Sequence, residues 1–228
     1  MELKGIPLFL KSSIAAALAT VLAIPLAQAD VVRIGVATAG GGDPVTFSGS
    51  PLAIVRNQQL LEKAFAGTGT EVQWFFFKGA GPAVNEALSN QQLDFAYQGD
   101  LPAVVGRSNG LDTKLLAALG VRANLYLAVP KGSDIKNIDD LKGKKVAIFR
   151  GTNGHLVTIN LLAEHGLTDR DIKVIKLDTG STQAALVSNG VDAAFGGREL
   201  FKLRDKGLID IVYDNPTQNV RYTRQTAL

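Results

Sequence analysis

The chain alternates short apolar runs with segments in which apolar residues recur every three or four positions. The run at residues 31–37 predicts a strand, and the helical spacing in residues 50–65 predicts a helix that Gly67 ends. In the first half of the chain, further strands are predicted at residues 71–77, 94–98, 114–119 and 125–130, with helices beginning near residues 79 and 99. Strands and helices in this alternation are typical of an α/β protein with a parallel sheet.

The same order begins again after residue 133. The second half predicts strands at residues 144–149, 173–176, 191–195 and 209–213, with helices between them. We therefore expect an α/β fold of two lobes, residues 30–130 and residues 131–215, with residues 216–228 beginning a segment that returns to the first lobe. A cleft between two lobes is a common site for small ligands.

Residues 1–29 have the layout of a cleavable secretory signal. Lys4 and Lys11 precede an apolar run, and small residues end in Ala29, after which we expect cleavage. Pro25 interrupts the run, which is shorter than the ~20 apolar residues that a membrane-spanning helix needs. The pattern predicts export to the periplasm.

Composition mainly excludes classes of function. The chain has no cysteine, so a thiol nucleophile and disulfides are impossible. Its 24 basic and 21 acidic residues give a net charge of +3 without a basic stripe, which argues against nucleic acid as a partner. His155 and His165 do not have the spacing of zinc ligands on a helix, and no dinucleotide or phosphate-loop motif is present. We expect no metal, no cofactor and a monomer.

Three predicted helices begin at turns that lack bulky side chains. The turns are Gly79-Ala80-Gly81-Pro82, Gly99-Asp100-Leu101-Pro102 and Gly151-Thr152-Asn153-Gly154-His155. In a parallel sheet such turns meet at one edge, where the free N–H groups and the dipoles of the helices attract anions. The same residues are also ordinary turn and cap residues of α/β proteins, and composition leaves both interpretations open.

Six segments in this order resemble the aliphatic sulfonate, taurine and nitrate group of periplasmic solute-binding proteins, and the sulfonate branch in particular. The resembling segments are residues 71–74 with 79–82, 94–102, 129–133, 140–147, 151–155 and 191–195. The resemblance implies a type II periplasmic binding protein-like fold that captures a small organic anion without chemical reaction. It also implies delivery to an ABC permease driven by a separate ATPase subunit. The ligand contacts that it implies are Thr38, Gly79, Ala80, Gly81, Gly99, Asp100, Thr152, Asn153, His155 and Phe195.

The segment after Phe195 departs from the pattern of that group. Gly196, Gly197 and Arg198 stand where many relatives have a tryptophan followed by an acidic or small residue and proline. An aromatic wall is therefore expected to be missing, and Gly197 and Arg198 join the predicted site. The Arg198 guanidinium could pair with a sulfonate or carboxylate, or it could be an exposed arginine in the first turn of a helix.

The resemblance leaves other ligands and other classes open. Nitrate, taurine or another small anion could replace the alkanesulfonate. A different class is an enzyme resembling the pyrimidine-precursor synthases of thiamine biosynthesis, although their cysteine-rich motif is absent here. A sensor module is a third class. Members of the resembling group continue well beyond the segment that matches residues 220–228, so we expect the rest of the returning segment to be missing and the first lobe to expose apolar surface.

Overall fold

Two five-stranded sheets organise residues 30–214 and 222–228, which are the residues described by a computed structural model of the chain. The strands are β1 (Asp30–Val36), β2 (Thr70–Phe76), β3 (Phe95–Gly99), β4 (Ala118–Ala123), β5 (Tyr126–Pro130), β6 (Lys145–Ile148), β7 (Lys173–Lys176), β8 (Ala193–Gly196), β9 (Ile209–Asp214) and β10 (Arg224–Ala227). The first sheet has the order β2-β1-β3-β10-β4 and the second has the order β7-β6-β8-β5-β9. The predicted signal at residues 1–29 lies outside the described residues.

Seven α-helices connect these strands within the described residues. They are α1 (Pro51–Asn57), α2 (Leu60–Ala64), α3 (Ala80–Ser89), α4 (Asp100–Ser108), α5 (Asn153–Glu164), α6 (Thr179–Val187) and α7 (Phe201–Asp205). Short 3-10 turns occupy Asp139–Leu141 and Arg198–Leu200. The single helix predicted over residues 50–65 is two helices, because Gln59 adopts a left-handed backbone with φ of 54° between them. No helix in the described part of the chain is long and apolar enough to cross a membrane.

Both sheets are mixed rather than purely parallel. β1 pairs parallel with β3, and β6 pairs parallel with β7 and β8. The antiparallel members are β10, between β3 and β4, and β5, between β8 and β9. The change of sheet thus precedes β5, whereas the sequence analysis set the lobe boundary after it, at residue 130. All five residues of β5 are buried, and a continuous apolar strand suits the middle of either sheet equally well.

The second sheet has the better packed core. Its buried cluster includes Leu127, Leu141 and Leu161, which are 0% exposed. Most of the exposed large apolar side chains instead precede residue 124, and Leu115 is 75% exposed. The strand predicted over residues 114–119 begins only at Ala118; just before it, the N–H groups of Leu116 and Ala117 both bind the carbonyl of Leu228. Burial is therefore concentrated around α5 and the second sheet.

Candidate functional site

A cavity of about 950 Å³ lies where turns from both sheets come together. Eight of the predicted contacts line it: Thr38, Ala80, Gly81, Gly99, Thr152, Asn153, Phe195 and Arg198. The walls are formed by turns that follow β1, β3, β6 and β8 and by the first turns of α3 and α5. The volume is at the upper end of the range that small-molecule sites occupy.

Of the helices that begin at the cavity, α5 is the longest. Thr152 caps this 12-residue helix, since its hydroxyl accepts the N–H of His155 and donates to the carbonyl of Phe149 at 2.7 Å. Gly151 precedes the cap with φ of +78°, a conformation that favours glycine, and a Cβ there would lie 2.8 Å from the ring of Pro82. The helix therefore presents its positive end to the cavity with little side-chain bulk in front.

Asn153 links α5 to the first sheet. Its side-chain amide donates to the carbonyl of Gln225 in β10 at 3.0 Å. Gly99 faces the same amide, and a Cβ at Gly99 would lie 2.9 Å from Asn153 Cγ. This donor is therefore engaged by the main chain, and the missing side chain at Gly99 permits the close approach.

Four of the predicted contacts do not line the cavity: Gly79, Asp100, His155 and Gly197. The Asp100 carboxylate accepts the N–H of Leu101 at 2.7 Å; burial raises the pKa of Asp100, and backbone N–H groups oppose that rise. The His155 ring accepts the N–H of Gly151 through Nδ1 at 3.3 Å. Both side chains were expected to contact a ligand, but the structure directs their polar atoms to nearby backbone groups. Polar side chains at the start of a helix often accept its unpaired backbone N–H groups. Sequence spacing alone does not distinguish such a side chain from one that contacts a ligand.

Acidification is expected to destabilise the wild-type protein more than a His155→Gln variant. Burial, and then the charge of Arg150, lower the pKa of His155 below its ordinary value of 6.5, while Asp169 acts in the opposite direction. The unfolded chain then binds this proton more readily than the folded chain does. Protonation of His155 therefore costs the folded protein nothing above pH 6.5. The protein loses stability as the pH falls from 6.5 through the pKa of His155 in the folded state. Melting curves at about pH 7.5 and about pH 5 would measure how much stability the wild-type protein and the variant each lose on acidification. Equal losses in the two proteins would contradict this account.

The sequence analysis missed several polar groups in the cavity wall. Arg224 of β10 lines the cavity, as do Gln98 and Thr158. Gln98 and Thr158 are 7% and 1% exposed, and within the described residues Gln98 Oε1 and Thr158 Oγ1 have no hydrogen-bond partner. Helical periodicity could have indicated an inward position for Thr158. No local signal indicates Arg224, because the pairing of β10 between β3 and β4 brings it there.

Comparison with known proteins identifies what this arrangement resembles. Residues 65–222 match the family described as NMT1/THI5 like. A Bacillus subtilis (strain 168) protein named for binding aliphatic sulfonates is 34% identical over 146 residues, which are 63% of this chain and 43% of that protein. The chain therefore spans less than half the length of this curated relative.

Solved structures extend the similarity to both sheets. The alkanesulfonate-binding protein SsuA of Xanthomonas axonopodis pv. citri, bound to MOPS, aligns with a TM-score of 0.71 and 25% identity, covering 88% of this chain and 66% of that one. The periplasmic aliphatic sulphonate binding protein SsuA of Escherichia coli aligns with a TM-score of 0.65 and 25% identity over 87% of this chain and 61% of that one.

Proposed function

Because this chain belongs to the NMT1/THI5-like family, we propose that it is a solute-binding component of an ABC importer that captures an alkanesulfonate or a similar small organic anion. The observation that carries the proposal is the cavity of about 950 Å³ into which the N-terminus of α5 and the glycine-rich turns point. A negatively charged group is stabilised there by backbone N–H groups and the helix dipole.

An organic anion fits the cavity better than an inorganic one does. The cavity combines an anion-binding helix end with apolar walls at Phe47, Leu125 and Phe195, which suit the alkyl part of a sulfonate. Nitrate has no apolar part to occupy that space. Arg198 lines the cavity while remaining exposed, so both possibilities weighed for this residue, a cavity cation and a solvated arginine, describe part of its environment.

The remaining parts of the proposal concern cellular context. The layout of residues 1–29 supports export by a cleaved signal, and the Escherichia coli neighbour is described as periplasmic. We place the chain in the periplasm as a monomer without cofactor that performs no reaction. We propose a membrane permease and an ATPase subunit as its partners, which the resemblance to importer binding proteins implies. Absence of the cysteine-rich motif disfavours the pyrimidine-precursor synthase alternative.

Thermal unfolding with candidate ligands tests this function. A ligand that binds only the folded state at a hundred times its Kd adds about 2.7 kcal/mol of stability. We expect ethanesulfonate and MOPS to raise the melting temperature of the purified protein, and nitrate to raise it less at the same concentration. Sodium chloride at matched ionic strength is the control. A cooperative transition that none of these anions shifts more than chloride does would overturn the proposal.

A further inference from the structure

Arg224 reaches the cavity from the strand that returns to the first sheet. We propose that its guanidinium binds the anionic group of the ligand, and that Gly197 determines specificity by leaving room for that guanidinium. This inference rests on the proposed function, since it requires an anion in the cavity. It adds a second cation to the cavity wall, in addition to Arg198.

The guanidinium of Arg224 is held in place, and the carboxylate of Glu199, which also lines the cavity, lies near it on the other side of the space at Gly197. The Nε and Nη2 atoms of Arg224 donate to the carbonyl of Asn124 at 3.2 and 2.9 Å, which fixes the plane of the group. Arg224 forms no salt bridge with a described residue. The Asp100 carboxylate interacts with its charge from a distance but is occupied by the N–H of Leu101. Within the described residues the hydrogen bonds of the guanidinium run from Nε and Nη2, so Nη1 is available to a ligand, and a guanidinium offers a sulfonate two parallel hydrogen bonds.

Gly197 explains how the guanidinium fits. A Cβ at position 197 would overlap Nη2 of Arg224 and would lie 3.0 Å from its Cζ. The backbone at Gly197 has φ of −103°, which any residue adopts, so conformational freedom is not the reason for glycine. The space itself is the reason, because Glu199 Oε2 would lie 2.6 Å from the same Cβ. Any larger residue has to push Arg224 or Glu199 away.

The two residues come from different sheets. Arg224 belongs to β10 in the first sheet, whereas Gly197 follows β8 in the second. Asn153 joins the same region, through its bond to Gln225 beside Arg224. An anion held by Arg224 and by the start of α5 would therefore be bound by both halves of the protein at once. This geometry favours a ligand whose charge is concentrated on one tetrahedral or planar oxyanion.

An Arg224→Gln variant tests the cation directly. We expect its affinity for ethanesulfonate, measured by calorimetry, to fall about ten- to a hundredfold, the range for loss of a charged hydrogen bond in a partly desolvated site. Arg122→Gln is the matched control, because Arg122 is exposed on neighbouring β4, does not line the cavity and carries the same charge. The control should change affinity by less than about twofold, since surface charges are screened by salt.

Gly197→Ala tests the space. It should weaken ethanesulfonate binding about five- to tenfold by displacing the guanidinium, and should add little further loss when combined with Arg224→Gln. Residues that act through one contact show such non-additivity. Additive losses, or an Arg224→Gln protein that binds as wild type does, would overturn the inference while leaving the proposed function intact. Failure of the wild-type protein to bind would overturn both. If Arg224→Gln does not fold, Arg224→Lys and Gly197→Ala give the same comparison.

Discussion

A Leu161→Ala substitution is expected to lower the free energy of unfolding by about 2 to 5 kcal/mol. Leu161 is 0% exposed and lies near the C-terminal end of α5, in the buried cluster of the second sheet. Shortening it removes apolar surface from the core and leaves a cavity, because the surrounding side chains close it only in part. Urea unfolding followed by circular dichroism would measure the change at constant m value.

Leu156→Ala on the same helix is the matched control. Leu156 is 39% exposed, so its truncation should cost less than about 1 kcal/mol. The two variants lose the same atoms from the same helix, one at an exposed position in its first turn and the other at a buried position near its C-terminal end. Equal losses would show that the core does not depend on the buried face of α5, and that the end of this helix at the cavity is not held in place by packing.

The α/β class of the fold follows from local pattern and is confirmed by the structural neighbours. Alternating apolar runs and helical periodicity are properties of neighbouring residues, and β1, β2 and β3 lie close to their predicted positions. The resemblance to sulfonate-binding proteins is confirmed by the relatives that carry that name. What pattern does not determine is the partner of a strand. β5 and β10 join their sheets antiparallel and out of chain order, which depends on the energy of the assembled sheets.

The candidate site shows the same division between local and distant effects. The turns at Gly81, Gly99 and Thr152 could be predicted, because glycines and cap residues mark where helices begin after strands. The position of Arg224 could not be predicted. It depends on β10 pairing with β3 and β4, which lie far from β10 in the sequence. His155 shows the opposite case: it has suitable chemistry in a suitable segment, but it does not line the cavity and its Nδ1 accepts the N–H of Gly151, so its contact with a ligand stays a prediction.

Gly81→Val is expected to destabilise the protein by about 1 to 3 kcal/mol and to weaken anion binding as well. Gly81 is buried in the first turn of α3, where a Cβ would overlap the ring of Pro102 in α4, so a side chain has to force the two helices apart. Both helices begin at the cavity, and their separation would shift its wall.

Gly41→Val is the control. Gly41 also lines the cavity, but it is exposed, and a Cβ there would have no atom within 4 Å. The stability of this variant should stay within about 0.5 kcal/mol of wild type. Urea unfolding and calorimetry with ethanesulfonate measure the two effects. A Gly81→Val protein as stable as the Gly41→Val protein would mean that α3 and α4 can separate freely, and the cavity wall would then not be a preformed surface.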